Sequence, residues 1–216
     1  MTTTDKQISI CTTIKNRTVV ETDHGTRYLF KKFLQSIAEV NQKEICRLEL
    51  VVCDFDSTDI QDMQQYIYDV LGESFQLNYI SLQEKFNRGK GANLAISNAS
   101  FDNILLLDVD MTFDSILIEN VIEHTILNKS AYFPICYSFE NDPTEQKGFW
   151  LEPGYGNFSI TKECWLQSNK IPEYTQWGKE DSDFHDSLQC SKVREQCKNL
   201  IHQWHPSSME WKNRYY

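Results

Sequence analysis

The stretch Ile104-Leu105-Leu106-Leu107-Asp108-Val109-Asp110-Met111 decides how the whole chain is read. Four apolar residues run directly into two carboxylates separated by a single residue. A continuous apolar run of this kind reads as a strand buried on both faces. Residues two apart on extended backbone point the same way, so Asp108 and Asp110 are expected to share a face. Carboxylates at the mouth of a buried strand are costly unless paired, hydrogen-bonded or bound to a cation. The pair therefore has two readings, a hard-metal site that handles phosphate and a strand that ends in solvated acids.

The flanking sequence places this strand in a series. Residues 8–14 alternate and are β-branched, which predicts a first strand followed by the polar loop Lys15-Asn16-Arg17. Phe30, Phe33, Leu34 and Ile37 have the spacing of one helical face. Residues 48–53 predict a second strand that ends in Asp54, and the acidic cluster 54–59 is expected to cap the next helix, closed by Gly72. Residues 75–80 predict a third strand, and Phe86-Asn87-Arg88-Gly89-Lys90-Gly91 leads into a helix with Ala92, Ala95, Ile96 and Ala99 inward. The opening strand is fourth, with a helix over about 115–127 after it. Strand and helix alternate four times, so the fold class is α/β: a mostly parallel central sheet flanked by helices. In such sheets ligands bind beyond the carboxyl ends of the strands, where the clusters 15–17, 54–59, 86–91 and 108–110 all fall.

The second half is less regular. Residues 131–137 predict a strand, 138–153 a polar loop with two prolines that could serve as a flap, and 154–160 a Gly-rich strand before a short helix near Thr161. Trp177-Gly178-Lys179-Glu180-Asp181-Ser182-Asp183 sets three acids in four residues ahead of a helix, and Leu200 to Pro206 closes the pattern. Repeats and linker-like breaks are absent from the sequence, which predicts one domain over 1–216, either a whole protein or one module of a longer chain.

Composition narrows the class. Hydrophobic residues at 40% argue against disorder, and 21 basic against 31 acidic residues, a net charge of −10, disfavour nucleic acid or a polybasic membrane contact as partner. The seven cysteines lack C-x-x-C spacing and are expected to be reduced thiols. No stretch reaches the length of a membrane span, and the start of the chain lacks a signal-peptide core, so a cytoplasmic location is expected.

The residues then suggest chemistry. Asp110, with Asp108 beside it, offers hard oxygen ligands that suit Mn2+ or Mg2+, completed by a late histidine. His202 and His205 are three apart, so on extended backbone only one of them is expected to reach the cleft. His205 is favoured because Pro206 holds it extended. The metal would neutralise a diphosphate leaving group, with Arg17, Arg88 and Lys90 adding positive charge. Asp54 could accept from a base N–H. The adjacent acids Glu180 and Asp181 repel one another, which suits one of them to general-base work. Acids at a helix start are also ordinary partners of the helix dipole, which accounts for Asp183.

The ordered set Asn16-Arg17, Phe86-Asn87-Arg88-x-Lys90, Asp108-Val109-Asp110, Gly154-x-Gly156-Asn157-Phe158-Ser159, Trp177 to Asp183 and His205-Pro206 resembles glycosyltransferases of the GT-A (Rossmann-like) fold. It is similar to the inverting β-1,4-galactosyltransferase and chondroitin-polymerase type, and to compact capsule and viral glycosyltransferases. The resemblance implies a hexose moved from a UDP-sugar donor to a glycan or other glycoconjugate hydroxyl. It implies nucleotide contacts from Thr13, Arg17, Asp54 and Arg88, and metal ligation by Asp110 and the late histidine. Asp108 would contact ribose or metal-bound water, and Trp177 would lie by the diphosphate. Asp181 would be the base and Glu180 would hold the acceptor. The chain departs from the galactosyltransferases in having Gly178-Lys179 where they carry Gly-Gly. Two other readings compete. Asp108-Val109-Asp110-Met111-Thr112 also fits the motif of haloacid-dehalogenase-type phosphatases, although there it normally sits on the first strand. The remaining one is a sugar-nucleotide-binding module without catalysis, against which the intact acid pair speaks.

Overall fold

The computed structural model describes residues 6–175 and 178–206. In chain order the elements are β1 (Gln7–Ile14), the hairpin β2 (Val20–Thr22) and β3 (Gly25–Arg27), α1 (Leu29–Asn41), β4 (Arg47–Asp54), α2 (Met63–Leu71), β5 (Leu77–Ser81), α3 (Arg88–Ser97) and β6 (Asn103–Leu106). There follow β7 (Met111–Phe113), α4 (Ser115–His124), β8 (Ser130–Tyr132), β9 (Ile135–Ser138), β10 (Phe149–Trp150) and β11 (Phe158–Thr161). The last are α5 (Lys162–Gln167), α6 (Glu180–Ser187), β12 (Ser191–Val193) and β13 (Gln196–His202). Among the described residues no helix is long and apolar enough to cross a membrane.

The main sheet runs β12-β8-β11-β6-β1-β4-β5. β6, β1, β4 and β5 are parallel, as the alternation of elements predicts, while β11 runs antiparallel to both β6 and β8. Every residue of β1 after Gln7 and of β4 after Arg47 is buried, so both faces of these strands are covered. The pleat sorts them by parity. Ile8, Ile10, Leu50, Val52, Leu105 and Leu107 face one core, with Phe30, Phe33 and Ile37 of α1 and Ile67 of α2. Cys11, Val51, Cys53, Ile104 and Leu106 face the other, with Ala92, Ala95 and Ile96 of α3 and Trp165 of α5. Each large side chain so buried contributes ~1.5–3 kcal/mol.

A second sheet, β10-β9-β13-β7, departs from the expected layout. The run 104–111 is not one strand. It leaves the main sheet after Leu106, turns with Met111 N–H donating to the Asp108 carbonyl (3.1 Å), and re-enters as β7 in the second sheet. Asp108 and Asp110 therefore flank a turn instead of sharing a strand face. The run 131–137 divides in the same way, β8 going to the main sheet and β9 to the second. The 138–153 loop contains β10, which pairs with β9, and the Gly-rich strand shortens to β11. The acidic cluster 54–59 does not cap α2. Asp62 does so, accepting from Gln65 N–H at 2.9 Å, while Asp59 accepts from the Thr18 and Val19 N–H groups and ties down the loop after β1. Gly72, at φ +86°, closes the helix as expected.

Helix α3 starts one residue after its cap Asn87, which accepts from Lys90 N–H at 2.9 Å, so Arg88 is its first residue. Glycine makes this close seating feasible. A Cβ at Gly89 would lie 2.1 Å from the Pro172 carbonyl oxygen, and one at Gly91 would lie 2.6 Å from Thr13 Cγ2. Gly89→Ala forces a backbone to move, so it is expected to destabilise the protein by about 1–3 kcal/mol. Urea denaturation checks this, and a midpoint equal to that of the parent would mean that α3 is not seated so closely.

Candidate functional site

β1, β4 and β5 end in step, with Ile14 opposite Asp54 and Asp54 opposite Ser81. The loops that follow them thus open on one edge of the sheet, together with the turn after β6. The second sheet adds a partner from far along the chain. His202, the last residue of β13, pairs with Met111, which sets it beside Asp110.

Asp110 is buried, only 4% exposed, and Arg17 donates to its Oδ2 in a short ion pair. His205 Nε2 lies 3.3 Å from that oxygen, His202 Nε2 lies 3.9 Å from Oδ1, and the two Nε2 atoms are 3.2 Å apart. His205 Nδ1 lies 2.8 Å from the Pro206 carbonyl, which can only accept, so Nδ1 carries a proton. His202 Nδ1 is held by Ser138 Oγ at 3.0 Å. Burial alone would raise the Asp110 carboxyl, but His205, Arg17 and His202 outweigh it and hold the group far below the usual carboxylate range. Burial pushes the His202 imidazole down, with Asp110 opposing and His205 adding, so it is kept neutral.

The fit of a metal to these residues can be judged directly. One ligand atom each from Asp110, His202 and His205 lies within 4.8 Å of the other two, and Asp110 Oδ1 is buried with no hydrogen-bond partner among the described residues. Ligand atoms bonded at about 2.1 Å to one ion sit about 3.0–3.4 Å apart. A carboxylate with two imidazoles, each engaged through Nδ1 so that Nε2 faces it, is a ligand set that a divalent cation fits when it displaces the Nε2 protons. Both histidines belong to this cluster. The expectation that only one could reach the cleft fails because the chain leaves the strand at His202. Gln203 N–H then donates to the Asp110 carbonyl at 3.0 Å, which turns His205 back beside it.

A second cluster centres on Arg88. Its Nε donates to Asp108 Oδ1 at 3.0 Å, a terminal N–H donates to the Gly156 carbonyl at 2.7 Å, and Glu180 Oε1 lies 3.8 Å away. Burial would lower this guanidinium, but Asp108, Glu180 and Asp181 together leave it raised. Glu180 and Asp181 are the first residues of α6, entered through left-handed backbone at Gly178 (φ +100°) and Lys179 (φ +75°). Glu180 is buried, and its Oε2 has no hydrogen-bond partner among the described residues. Asp181 accepts from the backbone N–H groups of Tyr155 (3.0 Å) and Ser182 (2.9 Å). The 154–156 loop is therefore tied to Arg88 on one side and to Asp181 on the other. The two aspartates of the D-x-D motif belong to different clusters, which corrects the shared face expected from sequence.

The other named residues fall as follows. Asp54 is buried and accepts from Ser57 N–H (3.0 Å), Ser57 Oγ (2.6 Å) and the Tyr79 hydroxyl (2.6 Å). That leaves room for about one further donor. Thr13 lies near the end of β1 under α3. The Lys90 ammonium is held by Glu84. Trp177 lies outside the described residues. Sequence reasoning does not find Ser138, Tyr79 or Arg194. Arg194 donates to the Gly154 carbonyl at 2.9 Å and lies over the Tyr155 ring at 4.2 Å. None of the three sits in a motif, and only sheet register and loop packing bring them in.

Comparison with known proteins gives a consistent answer. Residues 3–214 match the family described as chondroitin N-acetylgalactosaminyltransferase. Chondroitin sulfate synthase 3 of Mus musculus is 26% identical over 207 residues, covering 84% of this chain and 23% of its own length. Chondroitin sulfate N-acetylgalactosaminyltransferase 2 of Homo sapiens is 24% identical over 202 residues, covering 82% of this chain and 37% of its own. The chain thus spans well under half the length of these relatives. Among solved structures, residues 1–349 of S. aureus TarS in complex with UDP-GlcNAc align with a TM-score of 0.67 at 12% identity, over 97% of this chain and 62% of that one. The mannosyltransferase PcManGT of Pyrobaculum calidifontis, in complex with GDP-Man and Mn2+, aligns at 0.62 and 14% identity, over 90% and 56%. The fold is GT-A.

Arg88→Lys keeps the charge and loses the planar fork that spans Asp108 and Gly156, so it is expected to cost about 1–3 kcal/mol of stability. Denaturant titration reads this directly. A loss below about 0.5 kcal/mol, the range of an ordinary surface substitution, would mean the fork is not holding the two loops.

Proposed function

The chain belongs to the chondroitin N-acetylgalactosaminyltransferase family, and on that premise we propose that it transfers an N-acetylhexosamine from a UDP-sugar to a glycan hydroxyl. The transfer depends on a divalent cation and inverts the anomeric carbon. The observation that carries this is the convergence of Asp110, His202 and His205 at the carboxyl edge of the sheet, two residues along from Asp108 and its Arg88 contact. N-acetylhexosamine is favoured because the relatives include N-acetylgalactosaminyltransferases by name and a structural neighbour holds UDP-GlcNAc. One carboxylate and two imidazoles suit Mn2+ better than the harder Mg2+.

Asp110, His202 and His205 hold the cation, which when bound supplies charge compensation for the departing diphosphate. Arg17 and Arg88 place two guanidiniums at the same edge, and Asp54 offers its remaining acceptor capacity to the nucleobase. Asp181 is the general base. Each of its oxygens already accepts one backbone N–H, which fixes its aim and leaves lone pairs for the acceptor hydroxyl. Glu180, with one oxygen beside Arg88 and the other without a partner among the described residues, orients the acceptor. In a single displacement the acceptor oxygen attacks the anomeric carbon from the face opposite UDP as its proton passes to Asp181. The phosphatase alternative needs Asp108 free to attack phosphorus, whereas its Oδ1 is held in the Arg88 fork.

Asp181→Asn is expected to retain UDP-sugar binding and lose activity by about 10²–10⁴-fold, the usual worth of a general base. The measurement is UDP release from UDP-N-acetylhexosamines in the presence of a glycan acceptor. Near-normal turnover would remove Asp181 from the role, and phosphate release from phosphomonoesters would favour the phosphatase. Ser138→Ala removes the group that holds His202 Nδ1, and is expected to weaken Mn2+ binding about 10–100-fold. Titration of free Mn2+ by electron paramagnetic resonance checks this without reference to turnover, and an unchanged affinity would count against the proposed ligand set.

A further inference from the structure

Cys164 lies in the middle of α5, and Cys190 lies in the connection from α6 to β12. Their sulfur atoms are 2.9 Å apart, with the Cys164 thiol hydrogen directed at Cys190. Both residues are partly exposed, while the other five cysteines are buried. The surroundings hold the pair in place from both sides. Trp165, next to Cys164, and Leu188, two before Cys190, pack in the same core with Phe184 of α6. Just beyond Cys190, Ser191 N–H donates to the Lys129 carbonyl at 2.9 Å and starts β12 at the sheet edge. The two sulfurs need approach each other by only about 0.9 Å to reach disulfide length.

We propose that Cys164 and Cys190 are a dithiol–disulfide site, oxidised by a low-molecular-weight disulfide such as oxidised glutathione. The bond closes a ring that contains Glu180 and Asp181, so the segment carrying the acid pair becomes tied to α5 at both ends. The Cys164 thiol is pushed up to about 12, chiefly by burial and then by the neighbouring Cys190 sulfur. One cysteine of the pair, as its thiolate, attacks one sulfur of oxidised glutathione and expels a glutathione thiolate. The other, losing its proton, then attacks the protein sulfur of the mixed disulfide and expels the second. Two protein thiols give up two electrons and two protons, and one oxidised glutathione becomes two reduced glutathiones. The reduced state of all seven cysteines expected from sequence is then one of two states for this pair alone.

The test is to incubate the full chain in an oxidising glutathione buffer, quench it by alkylation and map peptides without reduction. The expected result is a single cross-link, Cys164 to Cys190, with a mass lower by about 2 Da. The melting temperature should rise by roughly 5–10 °C and return to its starting value with dithiothreitol. Cys164→Ser should abolish both the cross-link and the shift, and Cys190→Ser serves the same purpose should the first variant fold poorly. Oxidation that stops at one glutathionylated cysteine of the pair, a cross-link through any other cysteine, or a thermal shift that survives in both variants would each overturn the proposal.

Discussion

A carboxylate only 4% exposed has to be compensated, and the arrangement of this protein around Asp110 is the means of compensation. Arg17 comes from the loop after β1, and His202 and His205 come from the end of β13, some ninety positions away in the chain. The Asp110 carbonyl is engaged too, by Gln203 N–H. Each of these contacts exists only where the two sheets meet. The seam between the main sheet and the second sheet is therefore the element on which the site depends. The turn at 107–110, which carries the chain from one sheet to the other, is its covalent hinge.

The seam also separates two kinds of work. On one side the main sheet supplies strand ends in register, Ile14, Asp54 and Ser81, beyond which the polar loops open. On the other the second sheet supplies histidine and its support, with Ser138 at the end of β9 holding His202 at the end of β13. Glu145 extends the support outward, accepting from Trp204 N–H at 2.9 Å and lying 3.6 Å from the Lys32 ammonium. The segment that carries His205 is thus fastened from both directions. Packing of this kind holds ligand atoms about 3 Å apart more reliably than a loop can on its own.

What the sequence discloses and what it conceals follow from the range of each interaction. The parallel half of the sheet was legible because period-2 and period-3.6 patterns are local, and the two cores sort by the parity already present in Leu50-Val51-Val52-Cys53. Asp110, Arg88, Glu180 and Asp181 were legible as motif members. Their grouping was not. The extended-strand rule placed Asp108 and Asp110 together, and the turn after Leu106 sends one to Arg88 and the other to the histidines. The same rule allowed one histidine where the bend at Gln203 delivers two. Ser138 and Arg194 carry no local signal, since their roles arise only once β9, β13 and the 154–156 loop have met.

Charge makes the last connection. Around the site the structure gathers two guanidiniums, Arg17 and Arg88, and four carboxyl groups, Asp108, Asp110, Glu180 and Asp181. By formal charge that set is negative, His202 being held neutral, and the whole chain adds a background of −10. A diphosphate brought to such a place meets repulsion that two arginines, each already paired to an aspartate, do not remove. On the reading proposed above, donor binding then requires a divalent cation for its charge as well as for its Lewis acidity. On the same reading, the acid pair stays close to the reacting carbon without excluding the donor because the cation restores the balance. The proposed metal dependence is in that sense a consequence of the proposed general base standing beside an anionic leaving group.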